Sequence, residues 1–352
     1  MKRIVRTGIL IVLAAAAGCA HWQKKEKALV QHQASVTSFT GYKVTAKVKA
    51  SAADVDRYIL DLGPFNVETD RCKLKMDSEN KIEKLGDSAD FRVEVARVPF
   101  PGKFILVRHK PGEEIWYVAQ IQQSVMAVLR VGLTPMDEWT RLTIQFEWED
   151  TNSLLTQIAE VINVPQMLAG LLEKGVAKGQ TDFDPSLNSE TLLEKGLRGE
   201  FYSTFYQKQA ANIWINASPA RVDDYLRDPA TWQGYKAKYM IDLDGCPAAA
   251  DSSPCPIQLK FLGIDYDVNS FLVSSKPAEQ TISYWVPRQM IARFQTRIKP
   301  EQAGARLFWA YTIELPSAAS QEGASLLINM VKIPDTMEKM LLDAKTSLEA
   351  TD

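Results

Sequence analysis

Apolar and polar residues alternate in several stretches of strand length along this chain. Phe91, Val93 and Val95 interleave with Arg92 and Glu94, and Leu142, Ile144, Phe146 and Trp148 with Thr143, Gln145 and Glu147. Further on, Ile257, Leu259 and Phe261 alternate with Gln258 and Lys260, and Leu307, Trp309, Tyr311 and Ile313 repeat the pattern. A period of two sends successive side chains to opposite faces, so these stretches predict antiparallel sheet with one apolar and one wetter face. Residues 154–178 and 324–348 instead predict two long amphipathic helices. Each holds an internal proline, Pro165 and Pro334, which removes a helical hydrogen bond and should bend the helix. A bend there would let half of each helix swing as a gate.

The same order of elements occurs twice. Ala50, Ser51, Ala53, Val55, Asp56, Tyr58 and Asp61 recur as Ala217, Ser218, Ala220, Val222, Asp223, Tyr225 and Asp228. Lys110-Pro111 recurs as Lys276-Pro277, Arg141-Leu142 as Arg306-Leu307, and Pro165 as Pro334. Landmarks kept in order at nearly one spacing imply two homologous units, 41–182 and 204–350, joined by a polar linker at 183–203. In each unit a strand (42–48; 209–215) leads to a helix capped by Ser51 or Ser218, with Pro219 where its missing N–H costs nothing.

The N-terminus carries a separate signal. Lys2, Arg3 and Arg6 precede a short apolar run that is too brief to span a bilayer and has the length of a signal-peptide core. Ala16-Ala17-Gly18-Cys19 resembles a lipobox, which predicts removal of residues 1–18 and lipidation of Cys19 by acyl chains such as palmitate. Residues 19–40 then read as a tether. Ala20 follows, not Asp, which favours the periplasmic face of the outer membrane over the inner membrane.

A net charge of −2 excludes a grip on nucleic acid built on bulk charge. Cys246 and Cys255 flank a turn-rich stretch and, in an oxidising compartment, predict a disulfide; zinc is the competing reading, without other ligands nearby. Cys72 is left as a buried free thiol. The three histidines are His21, His32 and His109, none in the second unit, and no CxxC, HExxH or phosphate-binding glycine loop occurs. No catalytic residue, metal ligand or cofactor is assigned. Glu94, Glu147 and Asp267 fall on wet strand faces and read as solvated.

The segment INASPARVDDYLRDPATWQGY, with Asp228, Trp232 and Tyr235, resembles the opening of the START and birch-pollen-allergen superfamily, also called SRPBCC or polyketide cyclase-like. In the first unit Asp61 matches, but LGPFNV replaces the tryptophan segment. The resemblance implies an α+β fold of two tandem helix-grip domains, each a curved antiparallel sheet wrapped around a long C-terminal helix. It also implies a cavity between sheet and helix, used across that superfamily mostly for lipids and other apolar ligands. The cavity candidates are Phe91, Val93, Trp116, Phe146, Trp148, Met167 and Leu171 in the first unit. In the second they are Leu259, Phe261, Tyr284, Trp309, Tyr311, Met337 and Leu341, with Trp285 beside them. The expected function is a membrane-anchored carrier or sensor of a lipid or other apolar small molecule, with a transport system as the candidate partner. The alternatives are a cyclase or hydrolase of apolar substrates, and a scaffold with filled cavities.

Overall fold

The computed structural model describes residues 30–77, 81–95, 97–121, 125–149, 164–194, 197–239, 241–242, 254–261, 264–287, 290–315 and 333–350. The first half runs β1 (Val30–Val48), α1 (Ala52–Leu60), a 3-10 turn (Gly63–Phe65), β2 (Val67–Glu68), β3 (Cys72–Met76), β4 (Ser88–Val95), β5 (Val98–Lys110), β6 (Glu114–Ile121), β7 (Val125–Met136), β8 (Trp139–Glu149) and α2 (Val164–Phe183). After α3 (Ser189–Glu194) the order recurs as β9 (Glu200–Ile215), α4 (Pro219–Arg227), α5 (Pro229–Tyr239), β10 (Ile241–Asp242), β11 (Cys255–Phe261), β12 (Ile264–Lys276), β13 (Gln280–Pro287), β14 (Ala292–Glu301), β15 (Gly304–Glu314) and α6 (Ile333–Glu349). The expected caps are present: Ser51 accepts from the Asp54 N–H, and Ser218 from the Arg221 N–H with Pro219 at the first helical position. Pro165 and Pro334 are the second described residues of α2 and α6. The helical turns expected before them, at 154–163 and 324–332, lie outside the described residues, and with them any kink.

Among the described residues all strands belong to one antiparallel sheet of fifteen, in place of the two separate sheets the sequence suggests. The join is made by β1 and β9, which pair from Val30↔Ile213 to Lys43↔Glu200. Both strands are longer than expected, because residues 30–41 and 200–208 carry mixed polar sequence that alternation does not mark. Here the strand pairing is satisfied by backbone hydrogen bonds, and Val36, Phe201 and Phe205 stand exposed.

Each half buries an interior between its strands and its long helix. In the first, Val44, Val55, Phe104, Leu129, Ile144 and Leu171 pack together. In the second, Ile213, Val222, Leu307, Met337 and Leu341 do so. The other face of the sheet is buried too. The backs of β5, β6 and β7 meet those of β12 and β13, joining Ile105, Trp116, Val118 and Val128 to Phe271, Ile282, Tyr284 and Val286. Phe39 of β1 stacks on Tyr206 of β9 at 3.8 Å in this third core. The expectation of one wetter face is therefore corrected for the central strands: the second half covers what would otherwise meet water.

Most polar groups trapped in this third core are paired, the Gln120 side-chain nitrogen being an exception among the described residues. Arg130 donates to Glu147 at 2.7 Å and to Glu314 of the other half at 2.6 Å. Tyr202 and Tyr206 donate to Glu147 at 2.9 and 3.1 Å. Arg293 reaches across to Glu149 through two bonds of 2.9 and 3.2 Å, and Tyr284 donates to Gln120. The guanidinium groups of Arg108 and Arg130 lie 4.8 and 5.0 Å from the Trp116 ring. Glu147, read from its strand position as solvated, is buried and bonded three times; Asp267 is exposed as expected.

Burial, with the repulsion of Glu147, pushes the Glu314 carboxyl up to about 7, even though Arg130 pulls the other way. The same contact raises Arg130, so the pair itself is attractive and desolvation is what disfavours the charge. A carboxyl held above its unfolded value favours the folded state most at low pH. That contribution is complete below about pH 4.5 and is lost as pH rises toward 7, an effect on the order of 3 kcal/mol. Urea unfolding at pH 5 and pH 8 should show this loss, and Glu314→Gln should shrink the difference between the two pH values.

Candidate functional site

The candidate site is the apolar interior between sheet and long helix, present once in each half. In the first half Phe91 and Phe104 stack at 4.3 Å, and Tyr117 meets Phe65 and Phe104 edge-on at 6.5 and 6.0 Å. α2 supplies Leu171 to this group, with Met167, Leu168 and Leu172 half-buried against it. In the second half Trp285 stacks on Phe294 at 4.5 Å, and Phe294 lies 6.1 Å from Tyr311. Trp309, Met337, Met340 and Leu341 complete that wall.

Most expected cavity residues fall in these interiors. Phe91, Val93 and Leu171 are buried in the first, with Phe146, Trp148 and Met167 half-buried against it. Trp309, Tyr311, Met337 and Leu341 are buried in the second. Trp116 and Tyr284 are corrections: both point to the third core, away from the helices. Since neighbours on a strand face opposite ways, the interior positions are Tyr117 and Trp285, one residue along. Leu259 and Phe261 lie in β11, and their side chains are outside the described residues.

Within the apolar interiors two polar atoms stand out. The Tyr117 hydroxyl is fully buried and the Tyr311 hydroxyl nearly so, and neither has a hydrogen-bond partner among the described residues. Burial raises both phenols well above their ordinary value, with the Asp56 charge adding to it at Tyr117. Neither ionises near neutral pH, so each offers a neutral O–H donor. A buried hydroxyl without a partner costs about 1–3 kcal/mol. The described residues thus leave one such buried hydroxyl in each half.

The first helix of each half is clamped over its interior by a carboxylate at the repeated position. Asp56 lies 3.0 Å from His109 Nε2 on β5 and accepts from the Gly112 N–H at 3.2 Å. Its counterpart Asp223 accepts from Arg227, which also donates to Ser275 on β12. His109 thus ties helix to strand. The Asp–His pair has no nucleophile beside it among the described contacts. Glu173 of α2, also buried, accepts from the Tyr42 hydroxyl, which burial and this carboxylate push up to about 12.

Cys72 is a buried free thiol that desolvation pushes up to about 11, and so stays protonated. Cys255 is disulfide-bonded, and its expected partner Cys246 lies outside the described residues, as does Cys19. Among the described residues, no group of three or more His, Cys, Asp and Glu side chains is placed to hold a metal ion, and no helix is long and apolar enough to cross a membrane.

No protein-family model matches the chain, and no curated protein matches it in sequence. Among solved structures it is similar to the di-domain ARO/CYC protein StfQ of the steffimycin biosynthetic pathway, at 12% identity and a TM-score of 0.34, covering 88% of this chain and 98% of that one. It is similar also to the di-domain ARO/CYC protein BexL of the BE-7585A pathway, at 12% identity and a TM-score of 0.31, covering 87% and 98%. A protein from Chromobacterium violaceum aligns at 15% identity and a TM-score of 0.29, covering 38% of this chain and 94% of its own.

The clamps differ in depth, which gives a prediction. Asp56→Ala strips partners from a half-buried imidazole and a backbone N–H and should cost about 1–3 kcal/mol. Asp223→Ala breaks a wetter pair and should cost less than about 1 kcal/mol. Urea unfolding of the two variants measures the contrast.

Proposed function

We propose that the chain is a lipid-anchored binding protein, built of two tandem helix-grip units, that carries or senses an apolar molecule bearing one hydrogen-bonding group. The observation that supports this reading is the pair of solvent-excluded phenols, Tyr117 and Tyr311, each on the largely apolar interior face of its half and without a hydrogen-bond partner among the described residues. A carbonyl, carboxyl or hydroxyl on the ligand would satisfy the phenol, and the flexible methionines Met337 and Met340 suit an acyl or polycyclic body of imprecise shape.

Anchoring at Cys19 fits this role. Val30, the start of the sheet, lies eleven residues beyond that cysteine. An extended tether of that length keeps the protein within about 40 Å of its membrane. Placement on the periplasmic face of the outer membrane is part of the same proposal, and follows from Ala20.

A second reading, a scaffold with filled interiors, draws on the aromatic packing of Phe65, Phe91, Phe104 and Tyr117 in the first half. The two readings part in one experiment. Protein purified from cells is extracted with organic solvent for mass spectrometry, and displacement of a fluorescent fatty acid is measured on wild type, Tyr117→Phe and Tyr311→Phe. Binding predicts a copurifying lipid and roughly fivefold or greater weakening in at least one phenol variant, about 1 kcal/mol. The scaffold predicts a clean extract, no displacement, and two variants more stable than wild type.

Anchoring has its own check. Labelled palmitate should enter wild-type protein and fail to enter Cys19→Ser. Label in the variant would remove the anchor from the proposal.

A further inference from the structure

The two halves differ most where their N-terminal helices meet the long helix. In the first half a three-residue 3-10 turn follows α1, and α2 lies directly on it: a Cβ at Gly175 would come within 2.7 Å of the Pro64 carbonyl oxygen. In the second half the eleven-residue helix α5 replaces that turn, and the residue matching Gly175, counted from the repeated prolines, is Ala344. Between α5 and α6 the structure opens a cleft of about 510 Å³, within the range of roughly 300–1,000 Å³ usual for small-molecule sites. Tyr225 and Tyr235 of its lining also pack against the second interior, so the cleft borders that interior on its outer side.

Gly234 stands in the middle of α5 and lines this cleft. Glycine weakens a helix interior. Among the described residues nothing near Gly234 demands one, since its backbone is helical and, its own helix's backbone aside, no atom lies within 4 Å of where a Cβ would sit. Any larger residue would favour the helix and would project into the cleft.

The lining has a definite chemistry. The Tyr225 hydroxyl lies 3.2 Å from that of Tyr235, which donates to the Met340 carbonyl, so the chain of phenols leaves Tyr225 able to accept from the cleft. Asp228 uses Oδ1 to accept from the Ala230 N–H, leaving Oδ2 open. Thr231 adds a hydroxyl, and Thr346 donates to the Leu342 carbonyl while keeping its lone pairs. The charges are nearly balanced, because Lys238 already pairs with Asp343 at the far end. Such a wall has no excess of positive charge for an anion and too little negative charge for a polycation. It offers aromatic edges with hydroxyl and carboxylate acceptors.

We propose that the cleft between α5 and α6 is a second binding site, for a polyhydroxylated small molecule of the saccharide class.

Saturation-transfer NMR tests this on the full chain in a detergent without sugar headgroups, with N-acetylglucosamine, chitobiose and maltose as probes and inorganic phosphate and spermidine as counter-probes. The expected result is transfer to at least one sugar, weakened tenfold or more in Gly234→Leu and about fivefold in Thr231→Val. Melting of Gly234→Leu should stay at or above the wild-type temperature. Thr231→Val, nearly isosteric, reads the site even if the bulkier variant fails to fold. Absence of transfer to all three sugars, transfer undiminished in the folded variants, or tighter binding of either counter-probe would each overturn the proposal.

Discussion

The pairing of β1 with β9 is the constraint on which the rest of the molecule depends. It joins the halves over fourteen residue pairs, from Val30↔Ile213 to Lys43↔Glu200. With both edge strands consumed, neither half keeps an unpaired edge at the seam. The join also decides orientation. Both long helices lie on one face of the continuous sheet, and its opposite face turns back on itself, bringing β5–β7 against β12 and β13. Single halves would expose that third core, with Ile105, Trp116, Phe271 and Tyr284, to water.

The seam explains where the polar residues of the sheet went. Glu147, Glu149, Arg130 and Arg293 occupy strand positions that face water in an isolated curved sheet. Packed back to back they are dry, and they persist as ion pairs that cross between halves: Arg130 with Glu314, Arg293 with Glu149. A buried pair of this kind adds little net stability over an apolar equivalent, yet losing one partner costs several kcal/mol. The geometry of the seam is thereby specified at the expense of a carboxyl, Glu314, held well above its ordinary range.

Sequence legibility followed the same division. The repeat was readable because Ser51/Ser218 and Asp56/Asp223 keep local roles, a cap and a clamp, that each half needs independently. Interior positions on singly covered strands, such as Phe91, Ile144 and Trp309, were readable from alternation. Trp116 and Tyr284 were not, because the middles of β6 (IWYVA) and β13 (YWV) are apolar in unbroken runs and offer no phase. Those runs were themselves the missed signal: a stretch of strand apolar at every position is one buried on both faces. The early parts of β1 and β9 escaped for the opposite reason. Their pairing rests on backbone hydrogen bonds, which leave no mark on side-chain pattern.

The two halves repeat one order of elements, and their differences are local. The interior of the first half is drawn tight by rings: Phe65 from the 3-10 turn fills space beside Phe104 and Tyr117, and Gly175 lets α2 sit on Pro64. The second half replaces that turn with α5, whose Tyr235 reaches the Met340 carbonyl and whose Lys238 reaches Asp343. α5 is thus held to α6 at polar points along its length, with the space between left unfilled at Gly234. The same fold therefore carries a compact half with a direct helix contact and a half propped open by hydrogen bonds. Because the seam fixes both on one sheet, a change in either must be absorbed within its own helices.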